Sequence, residues 1–436
     1  MRFTSTRNRT ISVGFEQVIR NCIPEDGGLY IPADMSDLRR WILYSNEQTS
    51  YASVAGAMTL ACINEEFSPI ICETIATHAF PYVPVLKKLD DGLFLLELYH
   101  GPTGWQRDFC VNFLIESLET ILEFKGNTAI TLDYTSSAFG SILSHALRDK
   151  KYIKSVLLFP KDAVKGLQER DYIWNGGTVY PIEIDGTEED CRNLIRAIFK
   201  NKTIVSKCNL TTANSANVGR LIAQMFVYPF AFSRLKKQVS GTIYYAMDPG
   251  SYSNLVAGLY AWRLAMPVNG FIVPATGSLT LDSMGNCTML DSLVPLNQRE
   301  PVDPAFPNNI ERLEEVFSVN TGLMKNLVFP QHVTDEDTVS AVKELFMKYG
   351  QYADKSTAQA YAAAKKMREK GNCEGGTIVL LAKNDPALSG EFIRHCLGEA
   401  PTMADNVAAG IAPTNLNRPL VRTPDDIISV LSSLTF

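Results

Sequence analysis

The chain is expected to fold as an α/β protein built on parallel sheets. Two observations predict this. From Leu86 to Leu210, and again beyond residue 214, short apolar runs alternate with amphipathic helical stretches, the pattern of repeated strand–helix–strand units. Several runs, such as Val156-Leu157-Leu158-Phe159 and Thr377-Ile378-Val379-Leu380-Leu381, are apolar without alternation, which suits strands covered on both faces. With 436 residues and 46% hydrophobic content, the chain can fill two or three packed cores.

Residues 1–85 read as a mostly helical leader, with helices over 15–21, 38–41 and 53–63. A glycine turn, Asp26-Gly27-Gly28, enters a short extended segment between the first two. Residues 86–213 form an α/β domain with strands over 93–98, 129–132, 156–159, 179–184 and 204–208. Its helix over 187–200 opens on a Thr187/Asp190 capping box. Residues 214–436 form a larger α/β domain, with helices over 217–226, 254–265, 309–317, 335–349 and 357–369. Its strands are expected over 242–247, 271–273 and 377–381, and a proline-bearing connection spans 295–307.

The totals exclude several classes. Charged residues make up 20% and the net charge is −6, with no long basic block, so neither nucleic acid nor a membrane surface is an expected partner. No apolar h-region opens the chain and no apolar stretch approaches the roughly 20 residues of a membrane span, so a cytoplasmic protein is expected. Nine cysteines are scattered singly, without metal-ligand spacing, and no metal is expected. A small anionic or phosphorylated ligand remains, with a protein partner or homo-oligomer left open.

One stretch organises the rest. Leu98-Tyr99-His100-Gly101-Pro102-Thr103-Gly104-Trp105-Gln106-Arg107-Asp108-Phe109 ends a strand-like run, turns through Gly-Pro and opens a long amphipathic helix. The first amides of such a helix lack intrahelical acceptors, and the helix dipole adds partial positive charge there. The stretch resembles the cofactor-lysine segment of the threonine synthase family, among the fold-type-II (tryptophan synthase β-like) pyridoxal-phosphate enzymes. That pattern is His-Gly-Pro-Thr, three residues, then Lys-Asp-Phe. Ser5-Thr6-Arg7 with Asp26-Gly27-Gly28, the run from Asn214 to Leu221, and Asn308-Asn309-Ile310-Glu311-Arg312-Leu313 extend the resemblance over nearly the whole chain. It implies two parallel-sheet domains plus a helical N-terminal domain. It also implies a lyase of amino-acid biosynthesis that converts O-phosphohomoserine and water to threonine and phosphate through pyridoxal phosphate.

The chain departs from the family where the chemistry needs it most. The lysine position holds Arg107, and a guanidinium with a pKa above about 12 keeps its proton and forms no imine. Ala138-Phe139 replace two polar residues of a loop lying against the cofactor, and an ordinary strand-to-helix turn is the better reading of 135–140. Gly250-Ser251-Tyr252-Ser253-Asn254 aligns with the phosphate loop, but Ser253 replaces its second glycine, so a positive φ there would be strained. Lys383 takes the place of a hydroxyl facing the pyridine nitrogen, or is a solvated strand-end lysine.

The resemblance implies substrate contacts at His100, Thr103, Asp108, Lys165, Asn214, Ser215, Asn217 and Arg220. Several have a plain structural reading as well: His100 as part of the turn, Asn217 as a helix cap, Lys165 on a solvated face. The function expected is a threonine synthase-like protein without Schiff-base catalysis. It would bind a small anion with Arg107, Lys165 and the Gly250 loop, as a pseudoenzyme or as an enzyme of altered chemistry, and no cofactor is expected. The alternative is a divergent pyridoxal-phosphate enzyme acting on a phosphorylated amino acid, through another lysine or with the cofactor bound without an imine, and a purely structural interaction protein is the third reading.

Overall fold

The structure is a computed structural model that describes every residue except 64, 65, 240, 319, 321, 372, 374 and 436. It opens with β1 (Phe3–Ser5), α1 (Phe15–Asn21) and β2 (Tyr30–Pro32), the two strands pairing antiparallel. The Asp26 carboxylate closes this unit by accepting from Ser5 Oγ at 2.8 Å and from the Gly28 amide at 2.9 Å. Glycine is required at 28, because a Cβ there would lie 2.6 Å from Thr6 Oγ1. Helices α2 (Arg39–Tyr44), α3 (Tyr51–Ile63) and α4 (Pro69–Ala79) follow. The sequence reading missed α4, which Ser68 caps and Pro69 begins, at a position where a missing N–H costs nothing.

The chain then runs through β3 (Val85–Asp90), β4 (Leu93–Glu97), α5 (Arg107–Lys125), β5 (Ala129–Tyr134), α6 (Phe139–Leu147), β6 (Ile153–Pro160) and β7 (Val179–Ile184). Next come α7 (Glu188–Lys200), α8 (Lys202–Lys207) and β8 (Leu210–Thr211). The expected strand over 204–208 is the helix α8. The Asn201 side chain accepts from the Ile204 amide at 3.3 Å and starts a helical turn, and this local cap outweighs the β preference of Thr203, Ile204 and Val205.

Beyond it lie α9 (Val218–Met225), α10 (Val227–Leu235), β9 (Ile243–Ala246), α11 (Ser253–Arg263), β10 (Gly270–Pro274), the hairpin β11 (Leu279–Leu281) and β12 (Cys287–Met289), α12 (Ile310–Val316), β13 (Val328–Gln331) and β14 (Thr377–Ala382). The unpredicted α10 tolerates Pro229 because it falls in the first turn.

Two sheets carry the fold. The larger has the order β13-β10-β9-β14-β4-β3, parallel except for its edge strand β3, and it draws on both 86–213 and 214–436. The smaller, β7-β6-β5-β8, is parallel throughout. Every residue of β4 and β14 is buried, as expected for strands covered on both faces. The C-terminal helix Pro424–Leu434 returns to the smaller sheet, where Ile427 and Leu431 share a core with Leu194, Ile195 and Ile198.

The two sheets share one consequence of parallel winding. The segments leaving β4, β5, β8, β9 and β14 at their carboxyl ends converge on a single crevice, the usual ligand position in such sheets.

Candidate functional site

The crevice is a cavity of about 560 Å³, lined by 105–107, 133–137 and Phe139, Asn214, Ser215, Arg220 and Gln224, 249–254 and 383–384, with Glu188 and 305–308 completing its wall. That volume suits a small ligand. A second hollow, about 480 Å³, lies along one helix face at Asp335, Val339 and Lys343, and brings no groups together from other segments.

The turn before α5 is built by its own side chains. Asp108 accepts from the Thr103 amide and from Thr103 Oγ1, both at 2.9 Å. A Cβ on Gly101 would sit 2.4 Å from Asp108 Oδ2, and Gly104 has φ +76°. Burial pushes the Asp108 carboxyl up to about 7, against the pull of the Thr103 donors and the Trp105 amide. Thr103 and Asp108 therefore hold the turn and do not line the cavity. His100 faces away as well, its Nε2 2.8 Å from Glu97 Oε2. These three expected substrate contacts are corrected to scaffold. A kept turn motif fixes backbone shape as readily as it touches ligand.

Arg107, the first residue of α5, opens into the cavity. Its guanidinium lies 5.8 Å over the Trp105 ring, and among the described residues no acceptor meets it. Although its surface is accessible, the protein surrounds it closely. Burial and then the nearby Arg220 lower its pKa to about 10, so it remains a cation at neutral pH. Arg220 comes from α9, is 7% exposed, donates Nη1 to the Ala213 carbonyl at 3.1 Å and lies 5.8 Å over Phe139. Its Nε is buried without a partner. Two guanidiniums thus face one cavity with donors to spare.

The opposite wall is the loop after β9. Gly250 has φ +48° and Tyr252 φ +63°, while Ser253 is the first residue of α11. The positive φ expected at Ser253 falls on Tyr252 instead, the residue that caps α11, while Ser253 is already helical. The Tyr252 hydroxyl meets Thr276 Oγ1 at 2.7 Å and fixes the ring. The amides of Ser253, Asn254 and Leu255 belong to a helix first turn and have no acceptor within it. The Asn254 side chain exchanges two hydrogen bonds with Gln106, at 2.7 and 3.0 Å. Lys383 pairs with the Asp248 carboxylate, and a Cβ on Gly250 would lie 3.6 Å from its Nζ. It is a neutralised wall residue, only 15% exposed, so the solvated strand-end reading is corrected.

Of the remaining expected contacts, Asn214 and Ser215 line the cavity, with Asn214 Nδ2 donating to Pro304 O at 2.7 Å. Asn217 is fully buried, caps α9 through the Gly219 amide at 3.0 Å and donates to Ile19 O at 2.7 Å. Lys165 bridges to Pro413. Both lie off the cavity and are corrected: Asn217 is spent on its helix, and Lys165 is carried away by the extended pairing. The turn over 135–138 joins strand to helix as expected, yet Ser136, Ser137 and Phe139 line the cavity. Gln224 was missed, although its i+4 spacing from Arg220 on one helix could have pointed to it.

The donor set decides whether covalently held pyridoxal phosphate fits. An imine needs a primary amine, and Lys383, engaged by Asp248, is the one lysine among the described cavity-lining residues. Arg107, at the start of α5, offers the cavity a guanidinium. These residues do not fit the cofactor as an imine.

Residues 77–383 match the family model of pyridoxal-phosphate dependent enzymes, and residues 2–80 match that of the threonine synthase N terminus. The chain is 27% identical over 403 residues to threonine synthase of Serratia marcescens, covering 92% of this chain and 91% of that one. To threonine synthase of Escherichia coli (strain K12) it is 26% identical over 411 residues, 94% of both. The crystal structure of threonine synthase from Escherichia coli superposes with a TM-score of 0.79 at 24% identity, covering 99% of this chain and 100% of that one. A crystal structure of PLP-bound threonine synthase from Brucella melitensis also gives 0.79, at 21% identity and 99% coverage of both. These likenesses concern the fold.

Proposed function

The chain belongs to the threonine synthase family of fold-type-II pyridoxal-phosphate dependent enzymes, and we propose that it uses the family crevice to bind a small phosphorylated molecule without forming an imine. One observation carries this reading: the Arg107 guanidinium is open to the cavity and meets no acceptor among the described residues, and we read its place in the His100-to-Phe109 motif as the family's lysine position. The orphaned Nε of Arg220 adds a second donor, and the first turn of α11 supplies amides and partial positive charge. Guanidiniums match the oxygens of a phosphate, and charge-assisted bonds of this kind are the strong ones. Such a chain acts as a binding protein of the family, or on a phosphate ester by cofactor-free chemistry.

Titration calorimetry with inorganic phosphate tests the reading. Wild type binds, and Arg107→Ala weakens binding by about 10- to 100-fold, the loss of one charge-assisted contact, with the melting temperature unchanged. An equal affinity for both proteins would remove Arg107 from the site.

A second reading has one observation in its favour, the lysine at position 383 on the cavity wall. If Asp248 released it, Lys383 could carry pyridoxal phosphate, and the chain would be a divergent lyase of O-phosphohomoserine. Absorption of the protein mixed with pyridoxal phosphate, followed by borohydride reduction and mass mapping, separates the two. An adduct on Lys383 supports the lyase, and a spectrum of free aldehyde supports the anion-binding reading.

A further inference from the structure

The anion site has a second recognition point. Helices α5 and α9 pack against each other beside the cavity, which Arg107 of one and Arg220 and Gln224 of the other line, with the buried Cys110 of α5 touching Gln224. Arg220 and Gln224 are four residues apart on one helix, so they share a face and are separated by about 6 Å along its axis. Gln224 is 6% exposed and lines the cavity, and its Oε1 is buried without a partner.

The orientation of that amide follows from its neighbour. The Cys110 thiol donates to Arg107 O at 3.4 Å, which leaves sulfur lone pairs facing Gln224 Nε2 at 3.9 Å. The amide nitrogen therefore belongs on the Cys110 side, and the carbonyl oxygen is the end of this cavity-lining side chain that no protein donor meets. A buried carbonyl oxygen left unpaired is costly, so a ligand that fills this space has to bring a donor.

We propose that the ligand is a hydroxyl-bearing phosphate ester, with Arg107 and Arg220 taking its phosphate and Gln224 Oε1 accepting its hydroxyl proton about one helical turn away. The inference rests on the anion reading of the cavity and adds to it the rest of the molecule. The donor is neutral because the carboxylates that line the cavity are already engaged, Asp133 by Thr212 and the Ala213 amide and Glu188 by Ser136 and Arg192, which leaves an ammonium at Gln224 only a neutral carbonyl in a cavity that also holds two guanidiniums. An alkyl phosphate would satisfy the arginines and leave Gln224 unpaired.

Four probes test this on the full chain by titration calorimetry: inorganic phosphate, 2-hydroxyethyl phosphate, propyl phosphate and 2-aminoethyl phosphate. The hydroxyethyl ester is expected to bind about three- to tenfold tighter than the propyl ester, the worth of one neutral hydrogen bond, and tighter than the aminoethyl ester. Gln224→Met is expected to bring the hydroxyethyl ester down to the affinity of the propyl ester. Equal affinities of these two esters for wild type, with inorganic phosphate still binding, overturn the hydroxyl assignment and leave the anion site standing. Tightest binding of the aminoethyl ester overturns the neutral donor. Failure of all four to bind removes the anion site itself. The comparison on the unaltered chain decides the matter even if Gln224→Met does not fold.

Discussion

Arg312 donates to the side-chain oxygen of Asn309 at 2.7 Å, and Asn309 donates its side-chain nitrogen and backbone N–H to the Ser251 carbonyl at 3.0 and 3.1 Å. The other guanidinium donors reach Tyr30 O at 3.0 Å and the carbonyls of Ser215 and Ala216 at 2.8 Å each. One fully buried cation thereby ties the N-terminal unit to two cavity walls, those of Ser215 and Ser251. Burial lowers its pKa to about 10, so it stays charged at neutral pH.

Arg312→Met is expected to leave four acceptors short of a donor and to cost about 3–5 kcal/mol, as breaking a buried charged network does. Urea unfolding measures this. Arg312→Lys recovers only part of it, because an ammonium lacks the planar fork that reaches four carbonyl groups. A midpoint for Arg312→Met equal to wild type would show that the hub carries no stability.

Asp108 makes the turn before α5 sensitive to pH. Its folded pKa, about 7, lies above the ordinary carboxylate value of 3.8, so the folded state holds more protons than the unfolded state between those two values. By linkage, stability falls as pH rises through that window and levels off above it, by up to about 1.4 kcal/mol per pH unit. Asp108→Asn removes this dependence while keeping an acceptor for the Thr103 amide. Melting temperatures from pH 4.5 to 7.5 should therefore fall for wild type relative to the variant, and parallel curves would contradict the assignment.

Gly101→Ala attacks the same turn sterically. The new Cβ would fall 2.4 Å from Asp108 Oδ2, so the carboxylate must give up its Thr103 bonds or the turn must open. The expected cost is about 1–3 kcal/mol, with phosphate affinity falling as the start of α5 shifts. Unchanged stability would mean that the turn adapts freely.

The fold was largely legible because its strands and helices obey their own periods. β7 over 179–184 and the helix Asp335–Tyr349 match the reading residue for residue. The helix α8 was not, because Thr203-Ile204-Val205 favours a strand until Asn201 caps it. At the site, Arg107 and Arg220 could be found in the sequence, one by breaking a motif and one by its place in another. His100, Thr103, Asp108 and Asn217 were read as ligand contacts because a motif states which residues belong together. It does not state which way each side chain points. The Gln106–Asn254 pair depends on a contact between segments more than a hundred residues apart, which no local pattern carries.

The last prediction separates the missing amine from the rest of the site. Arg107→Lys places an amine at the position proposed to match the family's lysine, where burial and Arg220, which already lower the pKa of Arg107, would also favour the free base of a lysine. Protonation would then not block an imine, so any failure reports on the surroundings. Those surroundings are already occupied by contacts of their own. Asn254 is committed to Gln106, Lys383 to Asp248, and Phe139 stands at the wall where Arg220 lies over its ring. Pyridoxal phosphate added to Arg107→Lys is expected to keep the spectrum of the free aldehyde and to leave no borohydride adduct at position 107. A shifted absorption band and a reduced adduct there would show instead that the substitution at 107 alone separates this chain from imine formation.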